Sequence, residues 1–529
     1  MSNLRLITFI LGSFGMLHAA VGVSALGQSR HERAKASDAP QKLNVLMLAV
    51  DDLRPMLGCY GDELVHTPNI DRLAQRAVVF DRAYCQIAKC GPSRLSLLNG
   101  LRPDTTGVYD HRVSDLKHFR QNHPTHVSLP RRFTNAGYYT QAFGKIYHDS
   151  WDVASDWSNP SMPGRDSEML AVADLDAIAK VPFDDRATVP TVIRPRDDCP
   201  AIQAPDVPDD ALFAGQMTKA AISALRNMND KSFFLAVGYR RPHLPFVAPK
   251  RYFDSYKPTL EWLPADRQPP RDAPIMAHFN SDAYVSFARR VGLTMPNPPQ
   301  SSEQAAEWAG FELRSYQGVP YHGEISDELQ LRLRQAYMAC VSYVDAQIGL
   351  LLDELERLQL NESTIVVLWS DHGWHLGEHA SWGKMTNYEF DTQVPFIIAA
   401  PGVKPNRTRS IVELVDLYPT LCDLCQLEPP IGLDGRSIVS ALREPNVLPA
   451  KPAFSQFTRF RKYMGRAVRT ERHRYVRWTT LADNSVAARE LYDHQVDAGE
   501  TINLAGRAEH RAIIQELDAL LPLLALQRN

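Results

Sequence analysis

Apolar residues in this chain gather in short unbroken runs. LNVLMLAVDD (43–52) is one and stops at two aspartates; YYTQAFG (138–144), FFLAVGY (233–239), TIVVLWSD (364–371) and PFIIAAPG (395–402) are four more. A run of four to eight apolar residues suits a strand covered on both faces, whereas alternation suits a strand with one wet face. Between the runs lie stretches of helical period, near 209–228, 411–425 and 327–358. In the last, Ser326 is placed to cap, and Asp327 and Glu328 complement the first-turn dipole. Strands alternating with helices predict an α/β fold with a mostly parallel central sheet sandwiched by helices. Such sheets collect functional groups just beyond the carboxyl ends of their strands, where Asp51-Asp52 and Asp371-His372 fall.

Two stretches, 150–208 and 255–325, break the pattern and read as long loops, the usual material of lids and walls. From about 445 the texture changes. AFSQF, GRAVRT, HRYVRW and ELYD alternate in polarity and precede a helical stretch at 508–525, predicting a smaller C-terminal antiparallel sheet plus helix. The first residues carry Arg5 and then no charge until Arg30, with small Val23, Ala25 and Gly27 as cleavage sites. They read as a secretory signal peptide, which predicts export to a periplasm, the extracellular space or, in a eukaryote, a lysosome. The expected division is a signal peptide over 1–27, a loose segment over 28–42, a catalytic domain over 43–440 and a small α+β subdomain over 441–529. No other segment is long and apolar enough to span a bilayer, so no integral membrane segment is expected after signal cleavage.

A net charge of -3 over 529 residues gives no reason to expect nucleic acid as a partner, so a polyanion would have to be met by a local basic pocket. Seven cysteines are too few for a disulfide scaffold, and Cys422 and Cys425 form a CxxC with no second pair at zinc spacing. The chemistry starts instead from the strand ends. If the sheet brings Asp51, Asp52, Asp371 and His372 together, carboxylates that close need a cation, and oxygen-rich ligands favour calcium or magnesium. HGWHLGEH (372–379) is a zinc rival, but Gly373 and Gly377 disfavour the helix such a site needs. Lys145, His148, His243 and Lys384 follow or lie between predicted strands. With the guanidinium fork of Arg94 they would make a pocket for a tetrahedral oxyanion.

CGPSR (90–94), at the start of a predicted helix, is similar to the C-x-P-S-R signature of type I sulfatases, in which the cysteine is oxidised to formylglycine. DDLRPMLGCYGDELVHTPNIDRLA, CGPSRLSLLNGLRPDTT, GKIYH, FFLAVGYRRPHLPF, SDHGWHLGEH and ELYDHQVDAGETINLA resemble this family in the same order over about 43–504. DDLRP, RPDTT, LAVGY-x-x-PH and SDHGW look most like its iduronate-2-sulfatase branch, although Arg240 departs from that branch's pattern. The resemblance implies an alkaline-phosphatase/sulfatase-like fold and hydrolysis of a sulfate ester on a glycan, most like the 2-O-sulfate of iduronate. It also implies one calcium ion held by Asp51, Asp52, Asp371, His372 and residue 90, and a maturation enzyme that converts Cys90.

By the same resemblance, Arg94 and Lys145 stabilise the hydrated aldehyde and His148 takes its proton. Lys384 and His243 grip the sulfate, His243 serves as the acid for the leaving alkoxide, and Trp374 and Arg241 face the sugar. The alternatives are a sulfatase of another sulfated glycan, a phosphohydrolase on the same scaffold, or a non-catalytic protein that binds sulfated glycans. A phosphohydrolase of this kind would usually carry Ser or Thr at position 90 and two zinc ions.

Overall fold

The computed structural model describes residues 42–148, 151–163, 199–228, 231–445, 447–449 and 451–521. The expected signal peptide and most of the 150–208 loop lie outside these residues. Seven strands organise the main sheet: β1 (Asn44–Val50), β2 (Val78–Tyr84), β3 (Tyr139–Gly144), β4 (Phe233–Tyr239), β5 (Thr364–Ser370), β6 (Phe396–Ala399) and β7 (Asn406–Glu413). Two short pieces, Gln393–Val394 and Met162–Pro163, complete nine strands among the described residues. The order is β7-β2-β6-β5-β1-β4-β3. The pairs β5–β1, β1–β4, β4–β3 and β2–β7 are parallel, and β6 alone of the seven runs against its neighbours.

The apolar runs work as expected for strands buried on both sides. In β1, Leu46, Leu48 and Val50 belong to one core, shared with the Phe213–Asn227 and Asp327–Arg357 helices. Val45, Met47 and Ala49 belong to the other, shared with the Cys90–Asn99 and Leu417–Leu424 helices. The same split divides Leu235 and Val237 from Phe234 and Ala236 in β4. Each large apolar side chain taken fully from water contributes roughly 1.5–3 kcal/mol, so both faces anchor the strand ends rigidly. Ser326 does cap the Asp327–Arg357 helix, its hydroxyl accepting from the Leu329 amide at 3.3 Å.

Two expectations are corrected. Residues 411–413 are strand, paired with Arg82–Tyr84, so the helix begins only at Leu417. A 3-10 turn over Leu414–Asp416, closed by a capping box between Glu413 and Asp416, leads into it. The 255–325 stretch is not merely loop: it holds short helices at Ile275–His278, Val285–Arg290, Ser302–Trp308 and Phe311–Arg314. They surround a small core of Phe279, Trp308 and Phe311. The smaller C-terminal part is as expected: a 3-10 turn at Ala508–His510 leads into a helix over Arg511–Leu520, packed on a four-stranded antiparallel sheet over 453–493, and 522–525 lie outside the described residues. That sheet is tied to the main body by buried charge: Arg474 donates to Glu500 at 2.6 Å and to Glu389, and Arg469 donates to Glu389 at 3.0 Å.

Candidate active site

The carboxyl ends of β1, β3, β4 and β5 converge. Asp51 and Asp52 follow β1, and Asp52 takes a left-handed backbone (φ 61°), which an aspartate tolerates better than most residues. That bend is held from three directions. The Asp52 amide donates to Asp371 Oδ1 at 3.2 Å, the Leu53 amide to Ser370 Oγ at 3.0 Å, and Tyr337 donates its hydroxyl to the Asp52 carbonyl at 2.9 Å. Lys145 follows β3 and reaches Asp51 Oδ2 at 2.5 Å. Its backbone passes so close to β4 that a Cβ on Gly238 would lie 2.1 Å from the Lys145 carbonyl oxygen, so only glycine fits there.

Cys90 opens the Cys90–Asn99 helix, at the end where the helix dipole favours negative charge. Its Sγ lies 3.3 Å from His372 Nε2 and 3.4 Å from Lys384 Nζ. One turn on, the fully buried Arg94 donates through Nε to Asp371 Oδ2 at 2.8 Å and through Nη1 to the Ile146 carbonyl at 3.2 Å. Its Nη2 lies 3.3 Å from Asp51 Oδ1. Lys384 pairs with Asp52 Oδ1 at 2.7 Å and lies 5.2 Å from the centre of the Trp374 ring. His243 donates Nδ1–H to the Leu244 carbonyl at 2.7 Å, so Nε2 is the nitrogen left for chemistry. His148 stacks on His111 at 4.0 Å between ring centres, and His111 Nε2 in turn accepts from the Gly91 amide at 3.1 Å.

The electrostatics follow from burial and neighbours. Burial opposes ionisation of Asp51, but the Lys145 and Arg94 cations outweigh it and hold the carboxyl well below its usual range. Asp52 goes the other way: burial raises it well above that range, and the adjacent Asp51 adds to the shift despite Lys384. Burial, then Asp51, pushes the Cys90 thiol up to about 11, so it is not a thiolate nucleophile at neutral pH. His148 is lowered by burial and Lys145, and His243 by burial and Lys384.

A cation fits here. One ligand atom from each of Asp51, Asp52, Cys90 and His372 lies within 4.8 Å of all the others. Asp52 Oδ2 is buried with no hydrogen-bond partner, although a buried carboxylate oxygen without one is costly. Two carboxylates and an imidazole suit a hard divalent ion, to which a protonated thiol contributes little and an oxygen at position 90 would contribute more. The Asp371 carboxylate, expected beside them, is engaged by Arg94 and by the Asp52 and His372 amides.

The two residues expected to face the sugar sit deeper than a rim. Trp374 is 1% exposed, beneath Lys384, and Arg241 is 3% exposed and donates to the His243 carbonyl at 2.6 Å. Arg240, in contrast, acts electrostatically on Lys145, His148 and His243. The HGWHLGEH stretch forms no α-helix, only a short strand and one 3-10 turn: His375 pairs with Asp391 at 2.6 Å and with His379 at 3.2 Å. Two residues of the site were not anticipated. His111 lies twenty positions after Gly91 with no motif around it, and Glu312 comes from the stretch read as loop. The Glu312 carboxylate lies 3.7 Å from His243 Nε2 and 3.9 Å from Lys384 Nζ.

Acidic groups and a helix-borne residue 90 at the carboxyl ends of such a sheet define an α/β protein of the alkaline-phosphatase and sulfatase type. The sulfatase family model matches residues 43–427, and the chain belongs to that family. A model of the N-sulphoglucosamine sulphohydrolase C-terminal region matches 377–527. Iduronate 2-sulfatase of Homo sapiens is 32% identical, over 88% of this chain and 90% of its own length. A sulfatase of Formosa agariphila is 29% identical, over 95% and 90%. Among solved structures, the phosphonate monoester hydrolase of Agrobacterium radiobacter aligns with a TM-score of 0.68 at 22% identity, covering 90% of this chain and 95% of that one. A 2-O GAG sulfatase aligns with a TM-score of 0.63 at 23% identity, covering 91% of each. At those identities the structural likeness is one of fold.

Proposed function

We propose that this chain is an exported sulfatase acting on a sulfated glycan, with the 2-O-sulfate of iduronate as its preferred ester, and that it works with formylglycine at position 90 and one calcium ion. The observation that carries the reading is the position of Cys90. It sits on the first turn of a helix, in reach of His372 and Lys384 and grouped with Asp51 and Asp52. The 32% identity to the human iduronate 2-sulfatase over most of both chains supports the substrate.

Asp51, Asp52, Asp371 and His372 would hold the ion, which when bound supplies positive charge for a sulfate oxygen and for an oxygen on residue 90. Formylglycine at position 90 would supply, once hydrated, paired hydroxyls for attack on sulfur and for release of sulfate. The remaining work falls to the chain. Arg94 and Lys145 keep Asp51 ionised and the residue-90 side of the pocket positive. His148, held neutral by its surroundings, is suited to take a proton from residue 90. Lys384 and the positive end of the Cys90–Asn99 helix draw the sulfate in. His243 Nε2–H gives its proton to the departing sugar oxygen, because an alkoxide is a poor leaving group and a positioned proton is worth about 10²–10⁴-fold.

Sulfate release from defined disaccharides sulfated at single positions tests the reading, alongside the mass of the peptide containing residue 90 after expression with a maturation enzyme. Release from 2-O-sulfated uronate with Cys90 oxidised is the expected result. Hydrolysis of phosphate or phosphonate monoesters and not of sulfates would overturn it.

A further inference from the structure

A buried carboxylate stands beside the two groups proposed to grip the sulfate. Glu312 is 5% exposed, on the short Phe311–Arg314 helix, and its two oxygens face His243 Nε2 at 3.7 Å and Lys384 Nζ at 3.9 Å. Several contacts fix it in place. Gly310, just before the helix, is left-handed (φ 73°), and a Cβ there would lie 2.5 Å from the Trp382 carbonyl oxygen. The Gly310 amide donates to Asn280 Oδ1 at 2.8 Å, and the Phe311 amide to Ser281 Oγ at 3.0 Å. The same Asn280 donates through Nδ2 to the Lys384 carbonyl at 3.0 Å. One side chain therefore sets both the helix that carries Glu312 and the backbone that carries Lys384. Arg314 closes the other end, donating to the carbonyls of Ala309 at 2.7 Å, Pro320 at 3.1 Å and Gly323 at 2.8 Å.

A carboxylate at the anion-gripping end of a sulfatase pocket acts on the groups beside it, and the nearer of the two is the His243 imidazole. Among cations and out of water, His243 is held toward the neutral form, as its lowering by burial and Lys384 indicates, yet an acid must carry a proton when the sugar oxygen leaves. With Nδ1 committed to the Leu244 carbonyl, a proton on Nε2 points into the space between Glu312 and the substrate. A carboxylate there stabilises the imidazolium, and a 3.7 Å separation in the ligand-free site can shorten once substrate closes it.

We infer that Glu312 is a positioning residue for leaving-group protonation: its carboxylate holds His243 protonated and aimed at the sugar oxygen. The inference rests on the sulfatase reading and assigns the partner that makes His243 an acid. No group is consumed. The Nε2 proton moves to the alkoxide as the S–O bond to the sugar breaks, and His243 is reprotonated from water.

Leaving-group dependence tests it. A sugar alkoxide needs the proton, whereas 4-nitrophenolate leaves without it, so loss of the acid should slow only the first. With the mature holoenzyme, Glu312→Gln is expected to lower kcat on a 2-O-sulfated disaccharide at least tenfold and on 4-nitrophenyl sulfate less than threefold. Glu312→Asp should recover part of the loss. On the disaccharide alone, Glu312→Gln/His243→Gln should be no slower than His243→Gln, because the two act through one proton. Equal losses on both esters, an additive double variant, or a wild-type rate in Glu312→Gln would each overturn the inference. A wild-type enzyme that releases sulfate from neither ester would instead remove the sulfatase reading beneath it. If Glu312→Gln does not fold, Glu312→Asp and the His243 cycle decide the question.

Discussion

Replacing Cys90 separates chemistry from folding more cleanly than any other change. The side chain is 1% exposed, but only one sulfur is lost on going to alanine. Lys384 keeps its 2.7 Å pair with Asp52, and His372 keeps its Nδ1 contact to the Gly373 carbonyl at 3.0 Å. Removing one buried heavy atom and the small void it leaves costs about 1 kcal/mol. For a chain of this size that is a fall in Tm of at most about 2–4 °C. On the proposed role of residue 90, hydrolysis should have no such reserve, since deleting a nucleophile typically removes about 10³-fold or more of the rate.

Cys90→Ala should therefore unfold within a few degrees of the parent by differential scanning calorimetry while sulfate release falls at least about 10³-fold. Cys90→Ser adds a second signature. A serine hydroxyl can displace the sugar but has no geminal hydroxyl to expel sulfate, so one equivalent of sugar alcohol per enzyme should appear and turnover should then stop. Cys90→Ala with a near-parental rate would refute the role of residue 90. A Tm drop of 10 °C or more would show that the side chain is chiefly structural.

Three further outcomes are expected. Chelation should lower Tm and calcium should restore it, by about 2.7 kcal/mol of stability at a hundredfold excess over Kd; identical melting with and without calcium would remove the ion from this pocket. Asp391 accepts from His375 Nδ1 at 2.6 Å and from the Thr386 amide at 3.0 Å, so Asp391→Ala alone should cost about 3–5 kcal/mol, and His375→Ala/Asp391→Ala less than the sum of the singles in denaturant titration. Glu490 is raised to about 7 by burial, with the Trp478 indole donating to it at 2.6 Å, Tyr492 at 2.7 Å, and Glu500 and Arg474 nearby. A raised folded-state value means stability is full below about 4.5 and is lost as pH rises through about 7, by about 3 kcal/mol at most, so Glu490→Gln should flatten that slope and a parallel pH profile would contradict it.

What the sequence made legible is what two-sided burial makes legible. β1, β4 and β5 are unbroken apolar runs, so their ends, and with them Asp51, Asp52, His243, Asp371 and His372, could be placed on one edge of a sheet. β2 was missed because Asp81 and Arg82 interrupt VVFDRAY; both are only half-buried, and Arg407 from β7 pairs with Asp81. Residues 411–413, the end of β7, read as the start of a helix because the helical period of 414–424 carries backward into IVE, and only their pairing with β2 decides against that. Glu312 and His111 were invisible for another reason. Each acts from a segment held by hydrogen bonds between residues far apart in the chain, such as Asn280 with Gly310 and Gly91 with His111, and such contacts leave no period in the chain.

That contrast bears on how the site divides its labour. The groups at the strand ends are fixed by two hydrophobic cores, so Asp51, Lys145 and Asp371 are set by packing that any sheet of this kind must have. Arg94 reinforces them from the helix, and its four anchors leave it no freedom to follow a substrate. Glu312 and Lys384 belong instead to a layer joined to the sheet through Asn280 and the Trp382–Gly383 strand. A pocket built this way can keep attack on sulfur constant while the segment that carries Glu312 changes which leaving alcohol is served. Exchanging residues 275–325 for those of a relative should therefore move the preference among sugar sulfates far more than it moves the rate on an aryl sulfate. A chimera that loses both rates together would show that the layer and the strand ends are not separable.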